Sequence, residues 1–510
     1  MATTGASLDS QKGPERAFQV TSSQALQTAL QHPFLSSDAK TVCSLLQTCK
    51  SWRVAQQQCA AGNLDISTSS MKGQQQLALF CCWLQQQGGL VASIHCAGPK
   101  EDADEDVSEQ LMVLGLQAAC GRAATTSSAA AAAVARMQLR SLSTSVVRSA
   151  AQLRALPAAA LTHLHLNMED SSGDLTLDSS SIAAALVQLC GLRSLMLNGP
   201  AGYKGLSAVG QLTQLTSLNI ECVSCSAEGS CDLHLLPQQL HECDLTLLVE
   251  SGGSAARMAL GHITALRTLN LCVNCSTAEG SSLPPSLTDL QVWLEEGSAA
   301  VSMQHLNIPA LQQLQQLRAG YCLQEPELLE SLSSLRMLMS LDISYAATAA
   351  VHAAALWQHV PALHTLRLEK RGRDATLDPS QSLLLLQGLA AATSLTALDI
   401  SRHVVHRRVP LCAHLAGLTR LKHLGLRLDN CGLTSAAALP SIATLTGLTW
   451  LSLAVSPYSG AAQLALGRED LLLLAPLRKL ARLDFVGFFS PDAVQELWDA
   501  ELKQWRQQQA

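Results

Sequence analysis

The sequence predicts an α/β solenoid, a curved horseshoe of short repeats. One parallel sheet forms its concave face, with a helical cap at the N-terminal end and a capping helix at the C-terminal end. Three observations predict it. The phrase Leu-x-x-Leu-x-(Leu/Ile/Val) recurs from Leu161 to Phe485, most clearly as Leu192-Arg-Ser-Leu195-Met-Leu197, Leu266-Arg-Thr-Leu269-Asn-Leu271, Leu363-His-Thr-Leu366-Arg-Leu368 and Leu421-Lys-His-Leu424-Gly-Leu426. The first leucines lie about 21–32 residues apart, and a unit of that size must stack on copies of itself because it cannot bury its own apolar face. The composition is 48% hydrophobic but only 3% aromatic and 15% charged, so aliphatic side chains build thin layers. A single core for all 510 residues would exceed the size at which compact domains stop growing.

Residues 1–20 are small, polar and patternless, and are expected to be disordered. Residues 21–60 read as helical. Ala25, Leu26, Ala29 and Leu30 share one stripe, and Ser37-Asp38 opens a second helix that runs to Cys49. This stretch ends in Cys49-Lys50-Ser51-Trp52-Arg53 and resembles the second half of an F-box. The Leu-Pro dipeptide that opens an F-box has no counterpart before Leu26. The resemblance implies docking to the adaptor of a cullin-based ubiquitin ligase through Leu45, Lys50, Trp52 and Arg53. The other open reading is a helical cap that shields the edge of the first repeat.

Residues 61–140 read as degenerate repeats. Strands are expected at Leu64-Asp-Ile66, Val91–Cys96 and Val134–Leu139, and a helix over 76–87 with Leu77, Leu79, Phe80, Trp83 and Leu84 on its apolar side. An acidic run at 98–110 interrupts them as a solvated loop, followed by the alanine-rich tract Ala123–Ala135. The regular array is expected over 157–489. Two of its units carry Leu236-Pro-Gln-Gln-Leu240 and Leu283-Pro-Pro-Ser-Leu287, and proline there predicts an extended or turn-like convex side. The uneven spacing predicts helices, short helical turns and loops elsewhere on that side. Residues 490–510 predict the terminal helix: Ser490 caps it, Pro491 occupies its first position, and Val494, Leu497, Trp498, Leu502 and Trp505 share one face.

In each strand the leucines point inward and the alternate residues point out onto the concave face. The middle outward column reads Asn219, Asp244, Asn270, Gln291, Arg318, Asp342, Arg367 and Asp399. Its neighbours bring Glu242, Asp289, Trp293, His423, Arg427, Trp450, Arg482 and Asp484 onto the same face. The first half of this surface is acidic, and arginine enters only from Arg318. The middle column, with Trp293, Arg427 and Trp450, is the candidate partner-binding set, since aromatic and arginine side chains anchor interfaces. An ordinary solvated sheet would carry the same polar ladder, and the two tryptophans could instead pack under flanking loops.

The chemistry-bearing patterns are sparse. The chain has no phosphate-binding Gly-x-x-x-x-Gly-Lys-Ser/Thr, no His-Glu-x-x-His and no Gly-x-Ser-x-Gly, so an enzyme is not expected, and neither is a cofactor. Cys222-Val-Ser-Cys225 and Cys272-Val-Asn-Cys275 have a spacing that metal ligands use, but lie one repeat apart, too far for one tetrahedral ion, and no metal is expected. The seventeen cysteines are expected to be mostly thiols in a reducing cytoplasm, with Cys190, Cys243, Cys322 and Cys431 as small buried residues. A net charge of -6 gives no reason to expect nucleic acid, and neither a signal peptide nor a membrane span is legible.

With these residues in place, the array resembles the leucine-rich-repeat family over about two thirds of the chain. Its alanine- and glutamine-rich composition and Leu-Thr-x-Leu phrasing are similar to the large families of such proteins in green algae. The resemblance implies a module that holds a partner protein on the concave face. With the F-box-like segment it implies a substrate receptor of a ubiquitin ligase. The alternative is a scaffold without that link, attached to the cytoskeleton or to a ciliary axoneme.

Overall fold

From Ser141 to Val486, every strand of the main sheet starts two residues after a buried leucine. The computed structural model describes residues 64–67, 74–87, 91–96, 115–116, 139–144, 150–167, 179–198, 206–225, 232–249, 255–274, 276–277, 279–294, 304–323, 331–345, 357–370, 388–402, 415, 417–428, 435–455, 472–486 and 499–500. Residues 1–60, with the F-box-like segment, the acidic run at 98–110 and all of the expected terminal helix but Asp499 and Ala500 lie outside these residues.

The chain divides into two compact units. The first contains β1 (Leu64–Ser67), β2 (Val91–Cys96), β3 (Ser141–Thr144), β4 (His163–Asn167), β5 (Ser194–Asn198) and most of β6 (Ser217–Cys225). The second contains β7 (Glu242–Val249), β8 (Ala255–Ala256), β9 (Thr268–Val273), β10 (Ser276–Thr277), β11 (Asp289–Leu294) and β12 (Gln316–Leu323). It continues with β13 (Ser340–Tyr345), β14 (Thr365–Lys370), β15 (Ala397–Arg402), β16 (His423–Leu428), β17 (Trp450–Val455) and β18 (Arg482–Val486). All but β8 and β10 belong to a sheet of 16 strands whose order follows the chain. Their pairing is parallel, as in β4 on β5 or β16 on β17. A long parallel sheet in chain order, with leucines on its inner face, is the leucine-rich-repeat arrangement.

The leucine phrase explains the register. Leu161, Leu164 and Leu166 are at most 2% exposed, and Leu266, Leu269 and Leu271 are fully buried. Each such side chain contributes about 1.5–3 kcal/mol of hydrophobic burial. Because the side-chain period is two, a slip of one residue would expose the whole set. Leucine therefore stands opposite leucine from strand to strand, as in Leu290 between Leu269 and Leu317.

A second device locks the strand entries. The residue after each leading leucine offers its carbonyl to two consecutive N–H groups of the next repeat. The Arg267 carbonyl accepts from Thr288 and Asp289 at 2.9 and 3.0 Å, and that of Lys422 from Thr449 and Trp450 at 2.8 and 3.0 Å. Where the accepting repeat is followed by Leu-Thr, the threonine hydroxyl donates to the same oxygen. Thr162 does so to Arg140 at 3.0 Å, Thr216 to Arg193 at 3.1 Å, and Thr288, Thr396 and Thr449 to Arg267, His364 and Lys422 at 3.2 Å. The recurrent Leu-Thr-x-Leu wording is thus a hydrogen-bonding device at the repeat boundary.

Spacing decides what fills the other side of each unit. Between Leu161 and Leu192 there is room for the helix Ser179–Leu186, and between Leu421 and Leu448 for Ser435–Ile442. The shortest interval, Leu266 to Leu287, holds no helix among its described residues. There β10 pairs in parallel with β8, and Ala259 bridges to Ser282, so the side read as extended or turn-like from Leu283-Pro-Pro is extended. Short 3-10 turns such as Asp232–Leu235, Trp357–His359 and Gly388–Ala391 fill intermediate gaps. No helix among the described residues is long and apolar enough to cross a membrane.

Three local expectations change. The third degenerate repeat is Leu139-Arg-Ser-Leu142-Ser-Thr144, with its strand at Ser141–Thr144 rather than ending at Leu139. Leu139 is the buried leading leucine, and Thr144, 7% exposed, takes the third inward position. The helix Gln74–Gln87 buries Phe80, Cys81, Trp83 and Leu84 but leaves Leu79 59% exposed. At 100° per residue, Leu79 falls outside the arc of the other four. Cys190 is exposed, whereas Cys243 is buried as expected; Cys322 and Cys431 carry no described side chain.

Candidate functional site

Opposite the leucines, the second unit carries a single line of side chains in strict register. Asp244 stands opposite Asn270, which is followed by Gln291, Arg318, Asp342, Arg367 and Asp399, and the line goes on through Gly425 and Ser452 to Asp484. Neighbouring rungs of a sheet lie about 4.8 Å apart, so adjacent side chains can pair directly. Asn219 occupies the equivalent position in the first unit, opposite Met196, in a line that also holds His95, Ser143 and His165.

The ladder changes character along its length. At its start the Asn270 amide donates to Asp244 at 3.5 Å. Burial raises the Asp244 carboxyl above its usual range, and that hydrogen bond offsets the rise only in part. Further on, the Arg367 guanidinium lies 3.8 Å from Asp342 and 3.5 Å from Asp399. Its Nε is buried without hydrogen-bond geometry towards either, so the attraction is one of charge rather than of a directed bond. Such half-exposed pairs contribute about 1 kcal/mol or less each.

Trp293 and Trp450 have different settings. Trp293 is 40% exposed, and the edge of its ring stands beside Gly320: a Cβ there would lie 2.5 Å from Cε3 and 2.7 Å from Cζ3. Glycine in the middle of β12 leaves the room that the ring edge occupies. Trp450 belongs to a cluster. Its indole N–H donates to Asp484 at 2.8 Å, His423 meets its ring edge-on with centroids 5.9 Å apart, and the Arg482 guanidinium sits 5.9 Å from the ring centre. Arg482 Nε also lies 2.9 Å from Asp484. Burial pushes the Asp484 carboxyl up, but the hydrogen bonds from Arg482 and Trp450, with the arginine charge, hold it below its usual value. Trp450 therefore packs against charged neighbours of the sheet itself. Arg427 lies on β16 opposite Ala454.

The sequence-predicted set is thus divided. Asp244, Asn270, Gln291, Arg318, Asp342, Arg367 and Asp399 form one line, Trp293 and Trp450 flank it, and Asn219 sits in the first unit. Leu45, Lys50, Trp52 and Arg53 lie outside the described residues. The candidate set omitted His423, Arg482 and Asp484, which fix Trp450, and Gly320, which seats Trp293. Their signal was the column register, which places all of them on the same face.

In the first unit, Ser143 Oγ and His165 Nδ1 are 3.0 Å apart, and His165 Nε2 is buried without a hydrogen-bond partner. Burial and the nearby His95 lower the His165 pKa, against an opposing pull from Glu221. Among the described residues no three His, Cys, Asp or Glu side chains gather into a metal-binding group.

No family model matches the sequence, and neither does any curated protein. Among solved structures, a leucine-rich-repeat protein of Leptospira interrogans is similar over 59% of this chain and 80% of its own, at 19% identity and a TM-score of 0.28. At that score the fold rests on the strand register and leucine burial described above.

Proposed function

We propose that the chain is a protein-binding scaffold that holds a partner protein on the polar face of its sheet. The contact set is the ladder from Asp244 to Asp399, with Trp293, Trp450, Arg427 and, in the first unit, Asn219. The observation that supports this reading is Trp293, 40% exposed beside Gly320 and flanking a continuous polar line. Aromatic side chains in such settings anchor interfaces. Proximity labelling with the chain in its native cell, repeated with Trp293→Ala, tests it. A partner labelled by the parent chain and lost in the variant is expected; a labelling pattern indifferent to Trp293 and to ladder substitutions would refute the assignment of this face.

In its finer form the proposal makes the chain a substrate receptor of a ubiquitin ligase, with residues 21–60 docking the adaptor through Leu45, Lys50, Trp52 and Arg53. The support is the resemblance of Cys49-Lys50-Ser51-Trp52-Arg53 to an F-box. A pull-down of the full chain with purified adaptor decides it. Absence of binding removes the ligase link and leaves a scaffold in the cytoplasm, or on the cytoskeleton or a ciliary axoneme.

A further inference from the structure

The edge where the chain enters β16, β17 and β18 carries one sign of charge. Arg420 and Lys422 precede β16, Arg478 and Lys479 precede β18, and each of them is exposed. Arg482, also exposed, opens β18 itself. Elsewhere in the second unit the same positions are mostly neutral, as in Gln312, Gln313 and Gln315 before β12 or Thr393, Ser394 and Thr396 before β15. Among the described residues of these repeats the sole carboxylate is Asp484, and it pairs with Arg482. No ion pair among the described residues holds Arg420, Lys422, Arg478 or Lys479. Hydrogen bonding sets the entries side by side: the Lys422 carbonyl accepts from Thr449 and Trp450, and the Thr449 carbonyl from Ala481 and Arg482. At about 4.8 Å per strand, the first entry and the third lie about 10 Å apart. The entry between them offers little bulk. Thr446, Gly447 and Thr449 stand there, and a Cβ on Gly447 would lie 3.1 Å from the Leu421 carbonyl oxygen and 3.3 Å from that of Thr419. Basic residues thus flank a low step from both sides. Like charges crowded on one edge repel, and a partner of opposite sign removes that cost.

We propose that this edge binds an extended acidic segment of the partner protein, with separate carboxylates on the Arg420–Lys422 side and on the Arg478–Lys479 side. The contact fixes which end of the partner lies over β18. Carboxylates suit the donors present: a guanidinium pairs with one through two parallel N–H bonds, and a lysine ammonium meets it as a point charge. The edge runs without a break into the polar face through His423, Trp450 and Arg482, which stand opposite one another on β16, β17 and β18. A partner seated on that face is therefore within reach. Nucleic acid and an anionic membrane are disfavoured by their extent, since both continue well past a patch of this size over a chain whose net charge is -6. Exposed charges are screened by salt, so the edge contributes more to encounter and orientation than to affinity. The inference rests on the protein-binding reading and names the chemistry of one end of the partner.

The test uses the full chain and two dye-labelled peptides, Gly-Glu-Asp-Glu-Gly-Asp-Glu-Gly and its all-lysine counterpart, in fluorescence anisotropy at low ionic strength. The acidic peptide is expected to bind, and more weakly as salt rises; the lysine peptide is not expected to bind. The paired change Arg420→Gln with Lys479→Gln should weaken binding about tenfold, and Lys422→Gln with Arg478→Gln likewise. Arg267→Gln with Arg336→Gln removes equal charge from exposed residues at the corresponding positions before β9 and β13, and should leave binding unchanged. Binding of both peptides alike, or equal weakening by that control pair, overturns the proposal. So does tighter binding of oligothymidylate or of phosphatidylserine vesicles, which would reassign the edge to phosphate. Salt-sensitive self-association in light scattering, lost in the Arg420→Gln, Lys479→Gln chain, would reassign it to a second copy and overturn the proposal too. Lysine acetylation of the unsubstituted chain, read by mass spectrometry, reports on the same edge without variants. The acidic peptide should protect Lys422 and Lys479 above the other lysines, and uniform protection overturns the assignment. A cellular partner whose binding is indifferent to both paired changes would sink this inference while leaving the protein-binding reading intact.

Discussion

Replacing Leu269 with alanine tests the register most directly. Leu269 is fully buried at the second inward position of β9, with Cys243 and Leu290 opposite it on the neighbouring strands. Removal of a buried leucine side chain to alanine costs about 2–5 kcal/mol, the higher values applying where the surroundings cannot close in. Here the backbone on both sides is fixed. Arg267 and Thr268 donate to the His241 carbonyl, and Arg267 accepts from Thr288 and Asp289, so the upper part of that range is expected. In a repeat array the loss falls on the altered unit and its neighbours. Amide hydrogen exchange should therefore show the opening constant of residues 242–247, 268–273 and 289–294 rising about several-hundred- to several-thousand-fold. Protection in β16 to β18 should hardly change. Leu269→Asp should go further and lower solubility, because it buries a charge without a partner. An unchanged melting profile, or a loss of protection spread evenly over all strands, would refute the register.

Other consequences can be measured separately. Thr288→Val keeps the shape but removes one of the three donors on the Arg267 carbonyl; a loss of about 0.5–1 kcal/mol in urea unfolding is expected, and a loss as large as that of Leu269→Ala would contradict the supporting role assigned to the hydroxyl. In the native chain at pH 8, iodoacetamide should label the exposed Cys82 and Cys190 but not Cys81, which burial and Cys82 push up to about 12, nor Cys243, pushed up by burial and by Asp244. Mass spectrometry reads the order, and early labelling of Cys243 would show that β7 is not buried as described. The Asp484 carboxyl is held below its usual range in the folded chain, so its pairing stabilises above the unfolded value and the contribution is lost as pH falls through the folded value. The stability gap between the parent chain and Asp484→Asn should accordingly narrow from pH 6 to pH 3; a gap constant with pH would exclude the pairing with Arg482 and Trp450.

The parts that were legible in the sequence are those governed by a strict period. Leucine at steps of three and then two forces the inward face, and once that is set the alternate residues can only point the other way. That is why the sequence alone places Asp244, Asn270, Gln291, Arg318, Asp342, Arg367 and Asp399 in one column. The misreadings come where the period weakens. Val134-Ala-Arg-Met137-Gln-Leu139 offers apolar residues at nearly the right steps, while the true strand ends in Thr144, a polar residue where an aliphatic one is expected. Leu79 was misplaced because a hydrophobic residue says nothing of its angle on a helix until the buried arc is known. The setting of Trp450 was not legible at all, since its bond to Asp484 spans 34 residues and depends on side-chain direction.

The polar residues of the repeat divide into two kinds, and the division bears on where a partner can gain affinity. Those at the strand entries, such as Thr288 and Thr449, spend their hydrogen bonds on the preceding repeat. Those on the ladder differ by location. A partner charge arriving at Arg367 must compete with Asp342 and Asp399, and although each pair is weak, displacing one leaves a carboxylate to be satisfied again. The net gain at that rung is small. At Asn270 and Asp289 the unbonded oxygens are buried, so a partner's donor reaches them only if the side chain turns outward, and the net gain there is small as well. Trp293, 40% exposed with its ring edge beside Gly320, offers contact area and loses little side-chain freedom on binding. Affinity should therefore concentrate on Trp293, while the alternating charges from Arg318 to Asp399 set orientation and reject segments of the wrong charge pattern.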